Sequence, residues 1–177
     1  MYKGASRGLV HEYVDPNPEG PYHGTNGFND VQLKSQPDMS KVKVGAASAI
    51  LRLVDENPNQ VKIVALGPLT NIATCLAVDE SFSSKLAGLS LMGGNSKGIG
   101  NVTTCAEFNF YADPEAALVV LDRCKMQHPI KVLPWETCHY GNYVDWVMAL
   151  LLFWLFSPLG KQICYVIFNS SHGEGRL

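Results

Sequence analysis

The run Val61-Lys62-Ile63-Val64-Ala65-Leu66 stops at Gly67-Pro68 and passes directly into an apolar stripe at Leu69, Ile72, Ala73, Leu76 and Ala77. A short β-branched run ending at a turn pair suits a buried strand. The stripe recurs at i, i+3, i+4, i+7 and i+8, the spacing of a helix with one face on a core, and Pro68 is tolerated in a first helical turn. The unit then repeats. Residues 86–92 read as a second buried strand broken by Gly93-Gly94, Asp113 reads as an N-cap before Pro114 at the head of a helix reaching Leu121, and residues 130–133 read as a third strand. Alternating strands and helices predict an α/β fold, a mostly parallel sheet flanked by helices with right-handed crossovers. Upstream, Ala46, Ala47, Ile50, Leu51 and Val54 predict a helix over residues 41–56 that Asn57-Pro58 stops. Residues 1–40 are dense in Pro, Gly and Asn and read as a long loop region.

Composition narrows the function classes. With 177 residues, 46% of them hydrophobic and 17% charged, the chain is neither disordered, collagenous nor a coiled coil. Its 14 basic residues are scattered and its net charge is −2, so nucleic acid is not an expected partner. The five cysteines form no C-x-x-C pair and read as free thiols. The first residues hold no apolar core of signal-peptide length, so the cytoplasm is the expected compartment. Residues 146–156 are eleven unbroken apolar residues, fewer than the ~20 that a bilayer span requires, so membrane contact is not expected and a buried or interfacial helix is. The chain accordingly divides into a domain over 1–143 and a divergent apolar tail over 144–177.

In a parallel sheet the ligand sits beyond the carboxyl ends of the strands, which directs attention to the residues just after Leu66, Met92 and Leu133. After Met92, Glu107 and Asn109 flank Phe108 in a loop before the Asp113 cap. A carboxylate acceptor beside an amide that both donates and accepts suits a polyhydroxylated ligand. The competing reading is a plain turn organised by Asn109 and Asp113 with Glu107 in solvent. The segment after Leu66 offers backbone groups at the mouth of the sheet, or is an ordinary strand-to-helix turn. His23, among Gly24, Asn26-Gly27 and Phe28, sits either in a lid-like loop or in a surface turn. His128 and His139 have no metal-like spacing with other ligands, and neither a dinucleotide fingerprint, a P-loop nor a nucleophile elbow is present.

Taken in order, VALGPLTNI at 64–72, LMGG at 91–94, AEFN at 106–109 and ADPEAA at 112–117 resemble the inosine-uridine preferring nucleoside hydrolase family. YKGA at 2–5, HGTNG at 23–27 and LPWETC at 133–138 extend the resemblance to about residue 138, although a family member more often has Asp where this chain has Asn26. The resemblance implies a Rossmann-like nucleoside hydrolase core, incomplete here at both ends. It also implies hydrolysis of the N-glycosidic bond of a ribonucleoside with a bound calcium ion, and self-association into dimers or tetramers. Residue by residue, Glu107 and Asn109 would bind ribose hydroxyls, Asn101 and Met92 would complete the same pocket, His23 would lie near the base, and Leu66 would offer its backbone carbonyl to calcium, a hard oxygen ligand. The family's N-terminal D-x-D-x-x-x-D-D cluster, which supplies metal carboxylates and the general base, is absent from this chain. A truncated member with impaired turnover is therefore expected, the alternative being a non-catalytic nucleoside-binding or interaction protein.

Overall fold

The computed structural model describes residues 1–13, 30–32, 38–139 and 163–167. His23 and the apolar run 146–156 lie outside the described residues.

Short strands β1 (Tyr2–Lys3) and β2 (Lys43–Val44) pair in parallel as a two-stranded sheet. The helix expected from residue 41 starts later. A 3-10 turn at Met39–Lys41 and β2 come first, and α1 (Ala46–Glu56) begins after Gly45, whose φ of +85° is a left-handed conformation that costs glycine little. The main sheet is built from β3 (Val61–Ala65), β4 (Gly88–Met92), β5 (Lys131–Leu133) and β6 (Ile163–Ile167). Its order is β5-β4-β3-β6 and every pair is parallel. The second strand thus starts two residues later than the sequence pattern suggests.

Between the strands lie α2 (Thr70–Val78), α3 (Phe108–Ala112) and α4 (Pro114–Arg123), with α5 (Trp135–His139) after β5. Helix α2 is buried on nearly every side because α1 and α4 flank it over the sheet. Ile50 and Val54 of α1, Ile72 and Leu76 of α2, and Ala116 and Val120 of α4 form one core with Ile63, Leu89 and Leu91. Phe82, 1% exposed, plugs this core from the 3-10 turn at Phe82–Lys85. Each large side chain so buried contributes ~1.5–3 kcal/mol.

The helix expected at Pro114 is capped as the sequence indicates. Asp113 accepts from Ala116 N at 3.0 Å, and its other carboxylate oxygen accepts from Thr70 Oγ1 at 2.6 Å and Leu9 N at 3.0 Å. One buried carboxylate therefore ties the N-terminal segment and the head of α2 to the start of α4. Cys75, Cys105, Cys124 and Cys138 are free thiols. Among the described residues, no helix is long and apolar enough to cross a membrane.

Candidate functional site

The site grows from the end of β4. Gly93 and Gly94 lie under the Phe110 ring: a Cβ on Gly93 would come within 2.8 Å of Phe110 Cε1, and one on Gly94 within 2.9 Å of Cε2. Gly94 also has φ +67°, so glycine is needed there for conformation as well as for space. The turn is pinned to the neighbouring strand end by Gly93 N donating to Leu133 O at 3.1 Å and Trp135 N donating to Gly94 O at 2.9 Å.

Glu107 is buried, which removes the reading that leaves it in solvent. One of its oxygens accepts from Gly94 N at 2.7 Å and Phe110 N at 3.2 Å, and the other from Asn109 N at 2.9 Å. These bonds make Glu107 the N-cap of α3, a helix in a stretch that reads as loop from the sequence. Burial pushes its carboxyl above the ordinary range, against the pull of the three N–H groups. A carboxylate has about four acceptor positions, so Glu107 keeps roughly one for a ligand.

Asn109, also buried, donates from Nδ2 to Met92 O at 2.9 Å and lies 3.2 Å from Met92 Sδ. The amide thus lies against the last residue of β4. Asn101 sits at the exposed edge of the loop, where its Oδ1 accepts from Phe108 N at 2.8 Å. Close passage of the loop backbone there requires Gly100, since a Cβ would meet Ala106 N at 2.4 Å. Leu66, immediately after β3, shares with Met92 the lining of a depression of about 220 Å³ that also touches Val64, Ser90 and Leu133. Glu107, Asn109, Asn101 and Met92 are therefore brought together around one loop, with Leu66 across the depression. His23 is outside the described residues.

Two features of this rim escape sequence reasoning. Glu136 of α5 is buried and accepts from Ser96 N at 3.0 Å and Lys97 N at 2.6 Å. Burial raises its carboxyl, but those N–H groups and the Lys97 charge outweigh burial and hold it below the usual range. A second carboxylate thus holds the same loop, at Ser96 and Lys97, a few residues beyond the Gly94 that Glu107 holds. Asn71, buried in the first turn of α2, accepts from Ala5 N at 3.0 Å, while its Nδ2 has no partner among the described residues. Contacts of this kind join segments far apart in the chain and leave no local periodic trace.

Among the described residues, no group of three His, Cys, Asp or Glu is placed to hold a metal. The buried carboxylates Glu107, Asp113 and Glu136 are all engaged by N–H or O–H donors. Leu66 O is a suitable hard ligand, but one carbonyl falls far short of the six to eight oxygens that calcium takes. These residues do not by themselves fit the ion.

A family model described as inosine-uridine preferring nucleoside hydrolase matches residues 1–169. Uridine nucleosidase 1 of Arabidopsis thaliana is 46% identical over 98 residues, 55% of this chain and 29% of the relative. A pyrimidine-specific ribonucleoside hydrolase of Shewanella baltica is 32% identical over 142 residues, 80% of this chain and 42% of the relative. The solved structure of an inosine-guanosine nucleoside hydrolase superposes with TM-score 0.66 at 34% identity, over 76% of this chain and 44% of that one. The chain thus spans less than half the length of each of these proteins.

Proposed function

The chain belongs to the inosine-uridine preferring nucleoside hydrolase family, and on that basis we propose that it binds the ribose of a ribonucleoside at the rim of β4 and contributes little turnover by itself. The observation that carries the proposal is Asn109, buried and held by Met92 O at the carboxyl end of a central parallel strand, where such sheets bind ligands. With one N–H committed to Met92, the amide has a second N–H and its oxygen to address adjacent hydroxyls. Glu107 has one acceptor position left for the same sugar and fixes the loop that carries Asn109.

The reaction of the family's hydrolases breaks the bond from the ribose anomeric carbon to the base nitrogen. Water supplies hydroxyl to the carbon and a proton to the departing base. A calcium ion, were one held near Leu66 O, would contribute Lewis acidity toward a water. The described residues do not complete a shell for it. Among the described residues, the buried carboxylates Glu107, Asp113 and Glu136 are each hydrogen-bonded to the scaffold. Binding without appreciable hydrolysis is the reading that this arrangement favours.

Calorimetric titration of inosine and uridine, beside an assay of free base with added calcium, tests both parts. Binding that weakens about tenfold or more in Asn109→Ala, the ~1.4 kcal/mol typical of a lost hydrogen bond, together with negligible base release, is the expected result. Absence of binding to the folded chain would remove the ribose site. Robust turnover that vanishes in Asn109→Ala would keep the site and overturn the low activity.

A further inference from the structure

Helix α3 carries Asn109 and is too short to hold its own geometry. It has five residues, far below the ~12–15 at which an isolated helix becomes marginal in water, and Phe108, Phe110 and Tyr111 are weak helix formers. Glu107 satisfies its first N–H groups, and Asn109 and Ala112 bury its inner side. Phe108 and Tyr111, three residues apart, are neighbours on a second side, the first half-buried and the other exposed.

The N-terminal segment meets that second side. Ala5 N donates to Asn71 Oδ1 at 3.0 Å at the head of α2, Leu9 N donates to Asp113 Oδ2 at 3.0 Å between α3 and α4, and His11 Nδ1 pairs with Glu115 Oε1 at 3.1 Å in the first turn of α4. Gly8 passes so close to the end of α3 that a Cβ there would lie 3.3 Å from Ala112 O and 2.7 Å from His11 O. Two residues after His11, the ring of Tyr13 meets Phe108 edge-on, with centroids 5.3 Å apart at 83°, and Tyr111 at 6.1 Å and 89°. Edge-to-face pairs of this spacing attract beyond the area they bury. Three anchors on the heads of α2 and α4 thus deliver one ring to both aromatic side chains on that side of α3.

We propose that Tyr13 is a positioning residue for the ribose site: its ring fixes the rotation of α3 and, through it, the direction in which Asn109 presents its amide. The inference rests on the reading that Asn109 binds ribose. The Glu107 cap fixes where α3 starts, and the bond from Asn109 Nδ2 to Met92 O holds the helix from inside. The ring pairs at Phe108 and Tyr111 hold it from outside, so a rotation that redirects Asn109 parts Tyr13 from both rings. Because Tyr13 acts through a group that addresses the sugar, its removal weakens different ribonucleosides by the same factor.

Calorimetric titration of the full chain with inosine and uridine, beside hydrogen exchange of ¹⁵N-labelled chain without nucleoside, tests the inference. Tyr13→Ala is expected to raise the dissociation constant about three- to tenfold for both nucleosides alike, as loss of the ring pairs implies. Tyr13→Phe keeps the ring and is expected to stay within about twofold of wild type. In an Asn109→Ala background, Tyr13→Ala is expected to weaken binding no further, since side chains that act through one another do not add. Without nucleoside, Tyr13→Ala should speed exchange of the Asn109, Phe110 and Tyr111 N–H groups, which bond to Glu107, and leave that of α2 unchanged. If Tyr13→Ala prevents folding, Tyr111→Ala removes one of the same ring pairs from the helix side and is read in the same way. Wild-type affinity in the folded variant, an effect additive with Asn109→Ala, equal losses in Tyr13→Phe and Tyr13→Ala, or unaltered exchange in α3 would each overturn the inference. A wild-type chain that binds neither nucleoside removes the ribose site itself, and exchange alone then decides whether Tyr13 holds α3.

Discussion

Replacing Glu107 by Gln separates the two roles of this carboxylate. Its oxygens accept three backbone N–H groups, two on one oxygen and one on the other, and the side chain is only 2% exposed. The better-placed amide would keep its carbonyl on Gly94 N and Phe110 N and turn its NH₂ toward Asn109 N, a donor facing a donor. One bond is lost and one buried N–H is left unpaired, at a cost of ~1–3 kcal/mol. Glu107→Ala would strand all three donors and open a cavity, ~3–5 kcal/mol, a large share of a domain's ~5–15 kcal/mol. Gln is therefore the informative variant. Urea titration monitored by circular dichroism reads the cost as a lower midpoint at unchanged slope. The pH dependence adds a second criterion. Burial raises the folded carboxyl above its unfolded value of 4.5, so the native state holds the proton longer and wild-type stability falls as pH rises from 4.5 through the folded value. That falling limb should vanish in Glu107→Gln. A variant with wild-type midpoint, or one that keeps the limb, would refute the assignment of Glu107 as the buried cap of α3.

The same geometry sets four further outcomes. Asp113→Ala leaves Thr70 Oγ1, Leu9 N and Ala116 N without their acceptor and should cost ~3–5 kcal/mol in urea, with Asp113→Asn costing less. Gly94→Ala forces a side chain into φ +67° and against Phe110, and should lower the melting temperature by the equivalent of ~1–3 kcal/mol. Burial pushes the Cys75 thiol up to about 12, so iodoacetamide at pH 8 should tag exposed Cys105 in the native chain and Cys75 only after unfolding. Hydrogen bonding to Lys85, with Ser81, lowers Asp79 from 3.8 to about 2; its stabilising contribution is present above 3.8 and lost as pH falls toward 2, a loss that Asp79→Asn should abolish in acid titrations.

Much of the frame was legible because its signals are local. The β-branched run at 61–66, the stripe from Leu69 and the Asp113-Pro114 cap each lie within a few residues, and β3, α2 and α4 form where they indicate. Helix α3 was not legible: Phe108-Asn109-Phe110-Tyr111-Ala112 is short and aromatic, a poor intrinsic helix, and it forms because Glu107 satisfies its first N–H groups. The pairing of β1 with β2 joins two dipeptides forty residues apart and has no periodic signature. For the same reason Glu136, read only as part of a motif, gave no sign that it would grip Ser96 and Lys97. Sequence proximity did mark Glu107, Asn109 and Asn101 as neighbours, and in the structure Asn109 bonds Met92 O, Glu107 bonds Gly94 N and Asn101 bonds Phe108 N.

The use made of the buried carboxylates bears directly on what the rim can do. A carboxylate that activates water needs an oxygen directed at that water. Among the described residues, Glu107, Asp113 and Glu136 direct their oxygens mainly at N–H groups of Gly94, Phe110, Asn109, Ala116, Leu9, Ser96 and Lys97, and at the Thr70 hydroxyl, which leaves Glu107 about one acceptor position. Glu107 and Glu136 hold the loop after β4 at Gly94, Ser96 and Lys97, while Glu107 and Asp113 cap α3 and α4. Such a frame fixes the Asn109 amide against Met92 O on folding, so a ligand at the rim would find it already ordered. The proposed reading accordingly separates binding from hydrolysis. On the reading proposed above the rim residues govern affinity for the sugar, so Asn109→Ala is expected to raise the dissociation constant whether or not water is ever activated beside it.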